Sequence, residues 1–212
     1  MAAETVTIRT AGPDDACLMA DVDRQSWPSA LAVTAEQYLA RIETYASGQL
    51  VAVIAGRIVG VSSAQRVTTP QLKRHGGRYD AITDEGSIRR THREQGEIYQ
   101  LINVGVVPSV RGRRLGRQLV DAQIALARNL NTVRRIVGYT RPARFHQFPS
   151  MAIEEYLDCP HDAPEFDTVV AFHLLAGAQI VSLHEDFRPA DVEACGYGIL
   201  IEYPVGYRHA KC

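Results

Sequence analysis

The amino-acid sequence predicts an α+β fold: a mixed, mostly antiparallel sheet flanked by helices. Two observations lead to this prediction. Residues 49–67 form two strand patterns joined by a tight turn at Gly56-Arg57, which is typical of an antiparallel hairpin. Further along, an apolar strand, a helix and another strand follow one another, and this order requires a crossover that gives one parallel pair.

The N-terminal elements have clear local signals. Thr5–Thr10 alternates as a first strand. Acidic residues after Pro13 open a helix, which Trp27-Pro28 ends. A capping-box pattern at Thr34 begins a second helix that is predicted to run to about Tyr45, before the hairpin.

Two segments lack this regularity. Residues 70–96 are polar, charged and without period, so a surface insertion or mobile lid is predicted there. A long strand, Glu97–Val107, follows. Residues 141–165 are punctuated by prolines and form a second predicted insertion, with a short helical piece around Met151–Leu157.

The C-terminal elements complete the pattern. Arg135–Thr140 is predicted as a strand, Asp167–Ala176 as a helix closed by Gly177, and Gln179–Phe187 and Tyr197–Tyr203 as the last strands. The 212 residues show no internal repeat or linker. We therefore expect residues 1–212 to form a single domain with insertions at about 70–96 and 141–165.

Composition narrows the class of protein. The formal net charge is −1, so the basic cluster at residues 111–117 is local, which argues against a nucleic-acid partner. No apolar run is long enough to span a bilayer, and the N-terminus does not resemble a secretory signal. The cysteines and histidines lack metal-ligand spacing, and Cys17 and Cys195 are expected to be buried thiols. We expect a cytoplasmic protein with no metal and no membrane partner.

The segment Leu101–Arg128 carries the main functional signal: an apolar strand, an Arg/Gly-rich turn and an amphipathic helix. The first amides of a helix have no internal partner and lie at the positive end of its dipole. Gly112 and Gly116 allow a ligand to approach the backbone, and four side chains add phosphate donors: Arg111, Arg113, Arg114 and Arg117. These features predict a pyrophosphate site.

The sequence from Arg111 to Gly116, RGRRLG, resembles the CoA-pyrophosphate signature of GCN5-related N-acetyltransferases (GNAT), Arg/Gln-x-x-Gly-x-Gly/Ala. Its fourth position is Arg114 instead of Gly, which matters if the backbone there needs a positive φ. The resemblance implies a GNAT fold with a pantetheine slot between splayed strands, and a coenzyme A thioester as substrate. The implied cofactor-binding residues are Val104, Val106, Val107, Arg111, Gly112, Arg113, Arg114, Leu115, Gly116 and Arg117.

The C-terminal third resembles a narrower group. An FH…GA helix, an RP-x-D turn and a final GYGILIEY strand are similar to GNAT-like domains of polyketide synthase loading modules, and a similar pattern occurs in GNAT domains joined to nitrilase-like hydrolases. The resemblance to the loading-module domains implies that His173 and Thr140 are catalytic, and that Arg188 and Trp27 bind substrate. Without it, a lone His173 would be interpreted as a core histidine.

The first hypothesis is therefore an enzyme that decarboxylates malonyl or methylmalonyl units on coenzyme A or an acyl carrier protein, giving a starter acyl group in polyketide biosynthesis. Loss of CO2 needs an oriented carboxylate and donors to the developing enolate. A protonated His173, the Thr140 hydroxyl or the backbone of residues 103–107 would supply these donors.

Two alternatives remain open at this point. An acetyl-CoA-dependent N-acetyltransferase acting on an amine would need a base near the acyl carbon, and Glu97 or Tyr99 on the signature strand would serve. A CoA-binding sensor domain without turnover is the third hypothesis, supported by the Arg114 departure. The sequence does not select the acyl group or the oligomeric state.

Overall fold

The computed structural model describes residues 5–206, which form a seven-stranded sheet in the order β1-β2-β3-β4-β5-β7-β6. All neighbouring strands are antiparallel except β4 and β5, as the sequence predicts. The strands are β1 Val6–Thr10, β2 Gln49–Ile54, β3 Arg57–Val67, β4 Ile98–Val106, β5 Arg135–Thr140, β6 Gln179–His184 and β7 Gly198–Tyr203. The helices are α1 Ala16–Ser26, α2 Ala35–Tyr45, α3 Thr69–His75, α4 Tyr79–Thr83, α5 Leu115–Arg128, α6 Ile153–Asp162 and α7 Thr168–Leu175.

Helices cover both faces of the sheet. Val61 of β3 packs in a buried cluster with Met19 and Ala20 of α1. Its neighbour Gly60 faces Leu119 of α5, which lies close enough to crowd any Cβ at that position. Because successive residues of a strand point to opposite faces, α1 and α5 lie on opposite sides.

The pairing of β4 with β5 stops early, and this opens the slot that the resemblance implies. The pairing runs from Ile98 opposite Arg135 to Leu101 opposite Gly138, while β4 continues to Val106. On the other edge of β4, a bulge leaves Ile102 without a partner between the pairs Leu101–Ala64 and Asn103–Ser63. The second half of β4 is thus held by β3 alone.

The segment 70–96, predicted as a surface insertion or mobile lid, is folded and contains regular secondary structure. It contains α3 and α4, and it buries Leu72, Ile82 and Ile88. The backbone carbonyl of Ile82 accepts a hydrogen bond from Gln65, at 2.7 Å, and that of Gly86 accepts one from Arg41, at 2.6 Å. The apolar residues are irregularly spaced because the chain turns repeatedly, which hides them from a periodicity search.

The segment 141–165 is also anchored. Its helix α6 is longer than predicted and places Tyr156 in an aromatic cluster with Phe145, Phe148 and Phe166. The expectation of buried thiols is wrong: Cys17 lies on the outer side of α1 and Cys195 in a turn, and both are exposed. Within residues 5–206, no helix combines the length and apolar character needed to cross a bilayer.

Candidate active site

A pocket lies where β4 and β5 separate, and we call it the slot pocket. Ile102 contributes from β4, and the end of β5 contributes Thr140. It is lined by Trp27, Tyr79, Ile102, Tyr139, Thr140, Arg141, Val169, His173, Phe187, Arg188, Asp191 and Tyr197. The four residues predicted as catalytic or substrate-binding are all in this set, although they lie far apart in the sequence.

His173 reaches the pocket from α7. The carboxylate of Asp167 caps this helix by accepting hydrogen bonds from the amides of Val169 and Val170, at 2.9 and 3.1 Å. The Nδ1 atom of His173 lies 2.6 Å from the hydroxyl of Tyr203. Burial lowers the pKa of His173 to about 4. The imidazole is therefore neutral near pH 7, which disagrees with the protonated donor expected from the sequence.

Thr140 and Trp27 come from different elements, the end of β5 and the end of α1. The Thr140 hydroxyl is 3.5 Å from the carbonyl oxygen of Val169, which is the limit of a hydrogen bond and leaves its donor capacity for a ligand. Trp27 ends α1, where its backbone becomes extended at φ −120°. The helix stop that the sequence indicates at Trp27-Pro28 is thus what turns the indole toward the pocket.

Arg188 is held in place by two contacts. Its guanidinium carbon lies 4.0 Å from the ring centre of Tyr79, a cation–π geometry, and one nitrogen donates to the Leu31 carbonyl at 2.8 Å. The Tyr79 hydroxyl in turn accepts a hydrogen bond from the fully buried Arg41, at 3.2 Å. A cationic group is thereby fixed on the wall of the pocket.

The sequence interpretation missed several wall residues. Tyr79 lies in the segment predicted as a surface insertion or mobile lid, and Tyr139 stacks on Phe187 with ring centres 4.1 Å apart. Arg141 makes a bidentate ion pair with Asp191, with both distances 2.5 Å, and a further bond to Glu193 at 2.7 Å. The Arg-Pro-x-Asp turn contains Asp191, and this acid was the available signal for the Arg141 pair.

The pyrophosphate prediction concerns residues 107–117, which we call the anion loop. Gly112 has φ +83° and Arg114 has φ +58°, so the backbone takes the left-handed conformation at the position where the signature has Gly. Arg114 is the N-cap of α5, and the first amide with a helical partner is that of Gln118, which donates to the Arg114 carbonyl. The amides of residues 115–117 therefore have no helical acceptor and fit an anion.

The predicted side chains of the loop differ in their exposure. Arg111, Arg113 and Arg114 are exposed. Arg117 donates to Asp121 at 2.8 Å and to the Leu175 carbonyl at 3.0 Å, which ties α5 to the end of α7. The Val107 amide donates to the Val59 carbonyl, whereas Val104 and Val106 lie on the part of β4 that has no β5 partner.

The two residues considered as bases for amine chemistry lie outside the slot pocket. Glu97 accepts hydrogen bonds from the amide and hydroxyl of Thr69, at 2.6 and 2.5 Å, and these bonds lower the pKa of Glu97. Tyr99 is buried and donates to Gln123 at 2.5 Å. Within the described part of the chain, no group of three or more His, Cys, Asp or Glu residues is arranged to hold a metal ion.

Comparisons with known proteins agree with this geometry. The model of the Acetyltransferase (GNAT) family matches residues 18–147. YhcX of Bacillus subtilis strain 168, described as a probable hydrolase, is 26% identical over 200 residues, which are 93% of this chain but only 38% of YhcX. YkwB of the same organism, described as an uncharacterized N-acetyltransferase, is 26% identical over 88% of this chain and 81% of its own length.

Solved structures give a closer view of the fold. The GNAT-like decarboxylase GphF, in complex with isobutyryl-CoA, has a TM-score of 0.81 at 28% identity, covering 94% of this chain and 99% of that one. The loading GNATL domain of CurA from Lyngbya majuscula has a TM-score of 0.83 over 96% of this chain and all of its own, and at 24% identity it shows the fold alone. Together with the family model, the open β4–β5 slot identifies the chain as an enzyme of the GNAT acetyltransferase family.

Proposed function

We propose that this enzyme removes CO2 from malonyl- or methylmalonyl-type thioesters and so provides a starter acyl group for polyketide biosynthesis. The observation that carries the proposal is the meeting of His173, Thr140, Arg188 and Trp27 in one pocket at the open end of the β4–β5 slot. The thioester would be carried by coenzyme A or by an acyl carrier protein. The likeness to GphF, whose structure contains isobutyryl-CoA, supports an acyl-CoA in the slot.

The anion loop and the slot pocket suit the two ends of such a substrate. The free amides at the start of α5 and the exposed arginines of the loop would bind the pyrophosphate. The acyl group would then lie among Thr140, His173, Trp27 and Arg188. Arg188 would orient the carboxylate, because a guanidinium offers a fork of donors that matches it.

The chemistry needs no strong base. The bond between the α-carbon and the carboxylate breaks, CO2 leaves, and the electron pair forms an enolate with its charge on the thioester oxygen. A solvent proton then adds to the α-carbon. The protein's task is to hold the carboxylate out of the thioester plane and to donate hydrogen bonds to the enolate oxygen, for which the neutral His173 ring and the Thr140 hydroxyl are available.

The acidic side chain of the slot pocket is poorly suited to serve as the base that amine acetylation needs. Among the described residues that line the slot pocket, the one carboxylate is Asp191. Both of its oxygens are engaged by Arg141, and one also accepts from the Ala194 amide. A carboxylate held in this way is a poor base for an ammonium group. If Asp191 took up a proton, the guanidinium of Arg141 would lose a negative partner, which is costly for a largely buried charge.

Mass spectrometry of a carrier protein tests the proposal. Methylmalonyl-CoA and a methylmalonyl-loaded carrier protein would each be incubated with the enzyme. We expect at least one of them to lose 44 Da, the mass of CO2, with about one or more molecules converted per molecule of enzyme. The enzyme-free reaction is the control. Unchanged species on both coenzyme A and the carrier protein, with malonyl as well as methylmalonyl thioesters, would overturn the proposal.

An acetyl-CoA-dependent N-acetyltransferase is the second candidate function. The match to the acetyltransferase family model and the likeness to YkwB favour it. Release of free thiol from acetyl-CoA in the presence of a panel of amines would support this function. If no amine of the panel caused thiol release, and CO2 was released in the first assay, the N-acetyltransferase function would be excluded.

A further inference from the structure

The hydrogen bond between His173 and Tyr203 has a consequence for the chemistry of the pocket. Tyr203 ends β7 and is 1% exposed, and its hydroxyl is 2.6 Å from Nδ1 of His173. No other hydrogen-bond partner of this hydroxyl exists among residues 5–206. The same is true of Nε2, the second ring nitrogen of His173. The two groups thus share one bond, whose direction fixes the location of the imidazole proton.

Hydrogen-bond accounting decides this direction. If Nδ1 carried the proton and donated to Tyr203, the buried hydroxyl would need a second acceptor for its own hydrogen, and the described residues provide none. If the hydroxyl donates to Nδ1, the buried hydroxyl is satisfied and the ring proton is on Nε2, whose hydrogen bond a ligand or water in the slot pocket can accept because His173 is only half-buried and lines that pocket. Leaving a buried donor unsatisfied costs roughly 1–3 kcal/mol, so the second arrangement is strongly favoured.

We infer that Tyr203 is a positioning residue that holds His173 in the neutral tautomer with its proton on Nε2, the donor that a thioester oxygen in the slot pocket would meet. A neutral imidazole is a suitable donor for an enolate oxygen, because it stabilises the charge without giving up its proton. This inference rests on the proposed function for the identity of the acceptor, but the tautomer itself does not.

The surroundings of Tyr203 support this role. Tyr203 also borders a second cavity, which is lined by Arg117, Asp121, Arg128 and the end of α7. Burial raises the pKa of Tyr203, with Arg117 and Asp121 acting on it in opposite directions. The phenol therefore stays protonated near neutral pH and remains a hydrogen-bond donor.

Nitrogen NMR of the histidine side chains tests the inference directly. In protein labelled with 15N-histidine, we expect His173 to show a protonated Nε2 and an unprotonated Nδ1 near pH 7. In Tyr203→Phe, the two tautomers should mix, and kcat for CO2 release should fall at least about tenfold while the dissociation constant for coenzyme A stays within about twofold. A wild-type spectrum with the proton on Nδ1 would overturn the inference without any variant being needed.

Tyr156→Phe is the matched control. Tyr156 is also buried, and its hydroxyl donates at 2.6 Å to Asp167, the cap of the helix that carries His173, but it does not contact the imidazole. This variant should lose stability and keep both the tautomer and kcat. If Tyr203→Phe keeps the wild-type tautomer, or keeps kcat, the positioning role is wrong. If the wild type releases no CO2, the proposed function fails while the spectra still decide the tautomer.

Discussion

The anion loop and the slot pocket lie along one open strand pair, but they are built in different ways. The loop is a contiguous stretch whose main donors are backbone amides and exposed arginines. The pocket takes side chains from segments that begin at Trp27 and end at Tyr197, and its polar groups are held by buried partners such as Arg41 and Tyr203. The loop can therefore bind many thioesters in the same way, whereas the pocket determines which reaction follows.

The largest effect should come from His173→Ala in the slot pocket. Removing one preorganised donor to an oxyanion costs about 10²- to 10³-fold in kcat. The anion loop is untouched, so the dissociation constant for coenzyme A should stay the same. Single-turnover CO2 release and calorimetric titration with coenzyme A measure the two quantities.

Arg111→Ala tests the anion loop in the same two measurements. Its exposed side chain is expected to contact the pyrophosphate, so the variant should weaken coenzyme A binding by about three- to tenfold and leave kcat at saturation near the wild-type value. If His173→Ala weakened binding as much as Arg111→Ala does, the division of labour between pocket and loop would be wrong.

The second effect is on stability and concerns pH. The pKa of His173 is about 4 in the folded chain and about 6.5 when the chain is unfolded. The unfolded state therefore binds the proton more tightly, and the folded state loses stability as pH falls through the window from 6.5 to 4. Between pH 7 and pH 5 this loss is about 2 kcal/mol. Urea unfolding of the wild type and of His173→Gln at both pH values measures this effect. The wild type should lose about 2 kcal/mol more unfolding free energy between pH 7 and pH 5 than the variant does, and equal losses in the two proteins would contradict the prediction.

A smaller effect is expected for Tyr79, which supports Arg188. Tyr79→Leu removes the cation–π contact, so the KM for a carboxylated thioester should rise by about two- to tenfold. Tyr79→Phe keeps the ring and loses only the bond from Arg41, so its effect should be smaller. Steady-state kinetics with methylmalonyl-CoA give both values. If binding of acetyl-CoA, which lacks the carboxylate, weakened equally, Tyr79 would act on the whole pocket and not through Arg188.

The difference between loop and pocket also explains what the sequence could predict. The loop depends on a strand, a turn and a helix that adjoin in the chain, so periodicity and two glycines were enough to indicate an anion site. The hairpin and the parallel pair followed from the same local signals. His173, Thr140, Arg188 and Trp27 could be grouped only through a family resemblance, because each alone is compatible with an ordinary structural role.

The errors have a common physical cause. Tyr79 was missed because residues 70–96 bury only scattered apolar side chains between turns, a pattern that resembles an exposed loop. The protonated His173 was expected because burial cannot be read from a single residue type, and burial is what lowers its pKa. Tyr203 was overlooked because a strand-end tyrosine gives no sign that a helix thirty residues earlier in the chain places an imidazole beside it.

The smallest effect should come from the departure from the signature in the anion loop. Arg114 has φ +58°, a conformation that costs an L-residue roughly 1–2 kcal/mol and glycine almost nothing. Arg114→Gly should therefore raise the free energy of unfolding, by at most about 1 kcal/mol once the greater entropy of glycine in the unfolded chain is subtracted. Arg111, at φ −59°, is the matched control, and Arg111→Gly should lower stability instead. Urea unfolding without ligand measures both variants. If Arg114→Gly were destabilising, the side chain of Arg114 would contribute more free energy of unfolding than its left-handed backbone costs. The departure from the signature would then stabilise this loop.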